Sequence, residues 1–175
     1  SIIQDIVKGL QFSPYVFSII PVEVLGYIYE QFLAYKQKYD YETGKTIVEA
    51  DKKKKTNKDE GIYYTPKEIV SFIIQATVPS DTSFWQNKTA TDPACGSGTF
   101  LIGWYEFLHD KTLELYTQNS GKYLEVGLLR NAQNGKYDLT LEAKKSIVVN
   151  QIFGVDMDRE AVEIAKLSLC LKVLE

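Results

Sequence analysis

Asp92-Pro93-Ala94-Cys95-Gly96-Ser97-Gly98-Thr99-Phe100-Leu101 is the stretch whose reading decides the fold. Ala90 and Thr91 before it give a brief extended segment, and Phe100, Leu101, Trp104, Leu108 and Leu115 after it recur at helical spacing. The pattern is strand, tight turn, helix. Gly96 and Gly98 lack a Cβ, so the backbone takes unusual dihedrals and a ligand can approach the main chain closely. The start of the helix adds unpaired N–H groups and a positive dipole end. Asp92, at the strand end, can face a cationic group. These features describe a cradle for a nucleotide-type ligand with an acidic lip. A bare Gly-x-Gly turn equally fits an ordinary strand-to-helix connection. A dinucleotide fingerprint needs a third glycine, where this chain has Phe100 and Leu101, and no Lys-Ser/Thr follows to make a phosphate loop.

Working outward, Thr65 offers an N-cap, Pro66 a first helical position and Glu68 a capping-box partner. Ile69, Val70, Ile73 and Ile74 give that helix a buried stripe, and Pro79 ends it. Downstream, residues 118–137 hold several glycines and asparagines without a strong period and read as an insertion. A helix through Leu141, Ile147 and Val148 leads into a strand expected over Ile152 to Asp156. Asp158 can cap a last helix with Ala161, Val162, Ala165, Leu169 and Val173 inward. Near the start, Ile2, Ile3, Ile6, Val7 and Leu10 mark a short helix. Pro21 opens another with Val22, Leu25, Ile28, Tyr29, Phe32 and Leu33 on its apolar face. The repeated strand–helix order is the opening of a doubly wound α/β sheet. Three parts are expected: an N-terminal helical segment over 1–39, a flexible lysine-rich connector over 40–60 with a small hairpin around Ile47 and Val48, and a partial cofactor-binding domain over 61–175.

The decisive stretch resembles the S-adenosylmethionine motif of the adenine-specific DNA methyltransferases of type I and type IIG restriction-modification systems. Two more segments resemble the same family in the same order. Gly61-Ile62-Tyr63-Tyr64-Thr65-Pro66 is similar to its Gly-x-Tyr/Phe-Tyr-Thr-Pro element. Gly154-Val155-Asp156-Met157-Asp158 is similar to the end of its second strand. The likeness runs from about Val22 to Leu174, and Ile20 to Glu30 looks more like the type IIG branch. The resemblance implies a truncated, Rossmann-like S-adenosylmethionine-dependent fold. It also implies cofactor contacts at Tyr64, Thr65, Pro66, Asp92, Pro93, Ala94, Cys95, Gly96, Gly98, Asp156 and Met157. Thr65 and the backbone around it would hold the methionine carboxylate, whether or not Thr65 also caps its helix. Asp92 would answer the amino group and sulfonium. Asp156 would accept the ribose hydroxyls, as strand-end acids do in dinucleotide folds. Met157 would lie against the adenine. The gap from Gly98 to Asp156 departs from the ~20 residues of simple dinucleotide folds, and the insertion and extra helix account for the excess.

In this family the target base is flipped from the duplex, and its amino group is held by an Asn-Pro-Pro-Tyr/Phe motif. No two adjacent prolines occur here. This chain is therefore expected to carry cofactor-binding residues without catalytic ones. A start at Ser1 and a stop inside an apolar helix suggest a piece of a larger protein. That protein would methylate the N-6 amino group of adenine in double-stranded DNA, helped by a target-recognition domain or subunit. A non-catalytic S-adenosylmethionine-binding or protein-interaction module is the alternative. A nicotinamide-dependent oxidoreductase is disfavoured by the missing glycine.

Composition sets the remaining bounds. The chain has 175 residues, 45% of them hydrophobic, and a net charge of −3, with a pI of about 5.3. That suffices for a core but gives no overall basic face for nucleic acid. Lys52 to Lys55 and Lys58 are the one basic cluster, offset by Glu49, Asp51, Asp59 and Glu60, and read as a solvated, mobile loop. Two cysteines and one histidine have no metal-ligand spacing, so no metal site is expected. Cys95 reads as a small packed residue, and His109 as structural within a helix. No stretch is long enough for a membrane span and no signal peptide opens the chain. A cytoplasmic location is expected.

Overall fold

The computed structural model describes residues 24, 26, 28, 35–40, 43–50, 65–79, 81–86, 88–132 and 135–175. The first expected helix and the lysine cluster lie outside the described residues. Of the second expected helix, Val24, Gly26 and Ile28 are described, and they are helical. Strands β1 (Tyr35–Asp40) and β2 (Lys45–Ala50) form an antiparallel hairpin that places Lys38 opposite Ile47 and Gln37 opposite Val48. The expected hairpin is present and begins at Tyr35, earlier than the sequence suggested. Gly44 in its turn has φ +64°, the left-handed conformation that glycine adopts freely.

Helix α1 (Lys67–Thr77) starts one residue later than expected, with Pro66 as its N-cap and no side-chain cap hydrogen bond. The Pro66 carbonyl accepts the N–H groups of Ile69 and Val70 instead. The expected Thr65–Glu68 capping box is thus replaced by a backbone cap, because Pro66 is extended at ψ 144° rather than helical. Glu68 still lies in the first turn, where a carboxylate suits the helix dipole. Val70 and Ile74 are buried, while Ile69, Phe72 and Ile73 are exposed.

A short helix, α2 (Thr82–Trp85), leads to strand β3 (Ala90–Asp92), and the glycine turn follows into helix α3 (Thr99–Gln118). Then come α4 (Ser120–Glu125), β4 (Leu129–Asn131), β5 (Tyr137–Leu139), α5 (Leu141–Gln151), β6 (Ile152–Gly154) and α6 (Arg159–Leu174). Strand β6 returns beside β3 in parallel, with Ala90 opposite Ile152 and Asp92 opposite Gly154. Among the described residues this pair is the parallel component of the fold, so the chain is a mixed α/β structure with small sheets. Strand β6 ends at Gly154, two residues short of Asp156, which leaves that acid in the loop beyond the strand end.

Helix α3 is the centre of the packing. It touches α1, α5, α6 and both parallel strands. Leu101, Ile102, Tyr105 and Leu108 line its inner face and join Trp85, Leu129, Leu139, Ile147, Ile152 and Leu169 in one core. Removing a side chain such as fully buried Leu108 would cost about 2–5 kcal/mol. Sheet alternation shows in β6: Ile152 is buried towards this core while Phe153 is exposed. The Gln151 side-chain amide donates to the carbonyls of Trp85, Gln86 and Lys88, which ties the approach to β3 onto the end of α5.

The segment read as an unpatterned insertion carries regular elements among its described residues. It contains α4 and an antiparallel β4–β5 hairpin with Leu129 opposite Leu139, both buried, and Arg130 opposite Asp138. Three-residue strands are too short to print a period in the sequence. The Asp138 carboxylate meets Arg130 Nε at 3.0 Å, buried Lys144 Nζ at 3.5 Å and His109 Nε2 at 3.9 Å. Burial alone would raise the Asp138 carboxyl, but the Arg130 hydrogen bond and the Lys144 and Arg130 charges outweigh it and hold the carboxyl below its ordinary 3.8. A depressed carboxylate contributes stability that is present above the unfolded value and is lost as pH falls through the folded one. Asp138→Asn is therefore expected to cost about 1–3 kcal/mol at pH 7, the scale of hydrogen bonds to charged groups. The gap should shrink as pH falls below 3.8. Urea unfolding of both proteins at several pH values checks this, and an equal gap at all pH values would assign the loss to packing.

Candidate functional site

The site is built where β3 and β6 end side by side. Val155 N donates to the Asp92 carbonyl and Cys95 N donates to the Val155 carbonyl, each at 2.9 Å, so the ladder continues past both strands. This lays the turn after β3 across the loop after β6. Asp156 then closes the two together. Its Oδ2 accepts the Gly96 N–H at 2.8 Å and its Oδ1 accepts the Asp158 N–H at 2.8 Å. On the neighbouring strand end, Asp92 Oδ1 accepts the Ala94 N–H at 3.0 Å. Both acids are half-buried. Each ionised carboxylate offers about four lone-pair sites, so each retains accepting capacity after these backbone bonds.

Glycine is required at two points of this arrangement. Gly98 has φ +93°, and a Cβ on it would stand 2.8 Å from the Ala165 Cβ on α6. Gly154 lets Leu101 and Cys95 lie against the strand end, since a Cβ there would stand 2.6 Å from Leu101 Cδ1 and 3.0 Å from Cys95 Sγ. Gly96 differs: at φ +51° it has nothing within 4 Å of a built Cβ. The turn is thus packed tightly at Gly98 and open at Gly96.

A cleft of about 420 Å³ opens beside the turn, lined by Thr65, Ile74, Ala90, Thr91, Asp92, Pro93, Ala94, Phe100, Leu101 and Trp104. It brings together Thr65, two residues before α1, the end of β3 and the first turns of α3. Thr65 and Asp92, far apart in sequence, therefore share one cavity. Its size falls in the range of small-molecule sites. Gly96 on the turn, and Asp156 and Met157 in the β6 loop bonded to it, are outside the cleft lining. Met157 is fully solvent-exposed and Val155 is 58% exposed, so a thioether and an isopropyl group stand uncovered next to the Asp156 carboxylate.

Cys95 is 7% exposed. Burial pushes its thiol above the ordinary 9.0, and the charges of Asp156 and Asp92 push it further, so it is a packed group rather than a nucleophile. Pro66, Pro93 and Ala94 are exposed at the rim, and Tyr64 lies outside the described residues. His109 sits in α3 beside Asp110 and Asp138, away from the turn. Sequence reasoning missed Trp104 and Phe100 as cleft walls, because their helical spacing marked them only as core.

Two other clefts are of similar size. One, of about 490 Å³, runs between α1 and α3 past Ile74, Gly103 and Phe107. The other, of about 440 Å³, is lined by Tyr105, His109, Asp138, Lys144, Lys172 and neighbouring acids. In the second the charges satisfy each other: Lys172 pairs with Glu106 at 3.0 Å and Glu175 at 2.7 Å. Neither cleft has a strand-end acid beside a glycine turn. Among the described residues there is no cluster of three metal-ligating side chains, and no helix is long and apolar enough to cross a membrane.

Comparison with known proteins shows the family of the chain. A model of the N-6 DNA methylase family matches residues 22–175. The type II restriction enzyme and methyltransferase RM.Eco57I of Escherichia coli is 34% identical over 183 residues, covering 100% of this chain and 17% of that protein. The putative type II restriction enzyme and methyltransferase RM.MjaORFECS2P of Methanocaldococcus jannaschii is 28% identical over 195 residues, covering 87% of this chain and 14% of that protein. The chain thus spans less than a fifth of the length of either relative.

Proposed function

The chain belongs to the N-6 DNA methylase family, and from that premise we propose that it is the S-adenosylmethionine-binding part of a DNA methyltransferase. The enzyme methylates the N-6 amino group of adenine in double-stranded DNA within a restriction-modification system. A target-recognition domain or subunit selects the sequence. We read the chain's fold as the first strand–helix units of a doubly wound sheet, a reading that the parallel β3–β6 pair and the helices α3 and α6 support.

One observation carries the reading: Asp156 is hydrogen-bonded to the glycine turn at Gly96 while Asp92 faces a cleft shared with Thr65. The residues fit the cofactor. Gly96 is open, so a ligand can approach the main chain there. Asp156 keeps lone pairs free for ribose hydroxyls, and Met157 is uncovered for a flat base. Asp92 supplies the negative charge that a sulfonium and an ammonium require. Thr65 lies two residues before the start of α1, where backbone N–H groups suit a carboxylate. When bound, the cofactor supplies a methyl group on a positively charged sulfur, which the adenine amino nitrogen displaces in line. The part of this chain is to hold a zwitterion by both ends and keep its position fixed.

Asp156→Ala is expected to weaken S-adenosylhomocysteine binding by about 1–3 kcal/mol, the scale of hydrogen bonds to a charged group. Calorimetric titration of wild type and variant reads this, and an unchanged affinity would remove Asp156 from the site.

A further inference from the structure

Gly26 belongs to none of the three motif segments, yet it touches the turn. It is helical and buried, and a Cβ built on it would stand 2.8 Å from the Ser97 Oγ and 3.1 Å from the Ser97 Cβ. Ser97 is the residue between the two turn glycines and is 2% exposed. Rotating the hydroxyl away would not clear the second contact, because the Ser97 Cβ is fixed by its backbone. The turn is also confined at its second glycine, since a Cβ at Gly98 would stand 2.8 Å from the Ala165 Cβ and 3.1 Å from the Ala165 Cα. The turn therefore has two close helical neighbours, with Ala165 of α6 against Gly98 and helical Gly26 against Ser97. A side chain added at 26 must displace Ser97, and overpacked interiors respond by moving backbone.

We propose that Gly26 is a positioning residue for the cofactor turn. Its missing side chain lets the N-terminal helix seat on Ser97 and holds Gly96 where its N–H reaches the Asp156 carboxylate. The ligand concerned is the S-adenosyl cofactor, so the proposal rests on the function proposed above. It adds a residue far upstream of the motifs to the machinery that sets cofactor affinity.

The test is a size swap. S-adenosylhomocysteine affinity is measured for wild type, Gly26→Ala, Ser97→Gly and the double variant. Gly26→Ala should weaken binding by about tenfold or more, and the same change made in Ser97→Gly should cost less than about threefold, because both atoms it would strike are gone. An equal penalty in the two backgrounds, or no penalty, overturns the proposal. If Gly26→Ala alone does not fold, the comparison of Ser97→Gly with the double variant decides by the same threefold limit. If wild type itself binds no S-adenosylhomocysteine, the cofactor reading fails, and amide exchange at Ser97 and Gly98 then tests the seating alone. Exchange faster in Gly26→Ala and restored in the double variant supports it, and unchanged exchange refutes it.

Discussion

This chain by itself should transfer no measurable methyl group to adenine in duplex DNA, although it should bind the methyl donor's product. The proposed donor side of the reaction is Thr65, Asp92, the glycine turn and Asp156, of which Asp92 and Thr65 line one cleft and Asp156 is bonded to the turn. The acceptor side needs groups that hold a flipped adenine, and the sequence contains no Asn-Pro-Pro-Tyr/Phe to supply them. Correct positioning of two reactants is worth about 7–11 kcal/mol of a barrier, so a donor half alone retains no useful rate. A net charge of −3 adds that affinity for DNA should be low at physiological salt. Labelled-methyl transfer onto an adenine-containing duplex, compared with a family member that carries the tetrapeptide, measures this. Transfer by this chain at a rate near that of the comparison enzyme would mean that the acceptor machinery lies within these 175 residues.

Gly98→Ala should be among the most damaging single changes in the molecule. Two costs fall on one methyl group. The left-handed φ of +93° is strained for any residue with a Cβ, and the new Cβ would stand 2.8 Å from that of Ala165. Strain of about 1–2 kcal/mol adds to overpacking of about 1–3 kcal/mol, so a loss of about 2–5 kcal/mol is expected. That is a large share of a small domain's stability. Gly96→Ala at the same turn meets no neighbour and should cost less stability, although it narrows the approach to the main chain. Denaturant unfolding of the two variants separates the effects, and a Gly98→Ala loss below about 1 kcal/mol would show that α6 yields easily.

The sequence revealed those parts of the site that are local. The strand–turn–helix at Asp92 to Leu101 could be read because a glycine turn, a short extended segment and a helical period stand next to each other. Asp158 could be read as a cap, and its carboxylate accepts the Glu160 and Ala161 N–H groups. The acid at 156 came from a resemblance, and its bond to Gly96 spans elements whose pairing no local pattern encodes. Thr65 was read as a cap because Thr-Pro-x-Glu carries that signal. The observed cap is the Pro66 carbonyl, which leaves Thr65 on the cleft wall. The β4–β5 hairpin was missed because a single buried leucine pair and one ion pair define it. Gly26, Gly98 and Gly154 illustrate a general limit: a glycine in a sequence advertises backbone freedom, but the neighbour that needs its empty space lies elsewhere in the chain.

Met157 gives the most direct test, because it is the single methionine of the chain and is fully exposed beside Asp156. Labelling the methionine methyl with carbon-13 gives one resonance located at the proposed adenine contact. Titration with S-adenosylhomocysteine should move that resonance progressively to saturation, and titration with NAD should leave it in place. A resonance that NAD moves and S-adenosylhomocysteine does not would contradict the account.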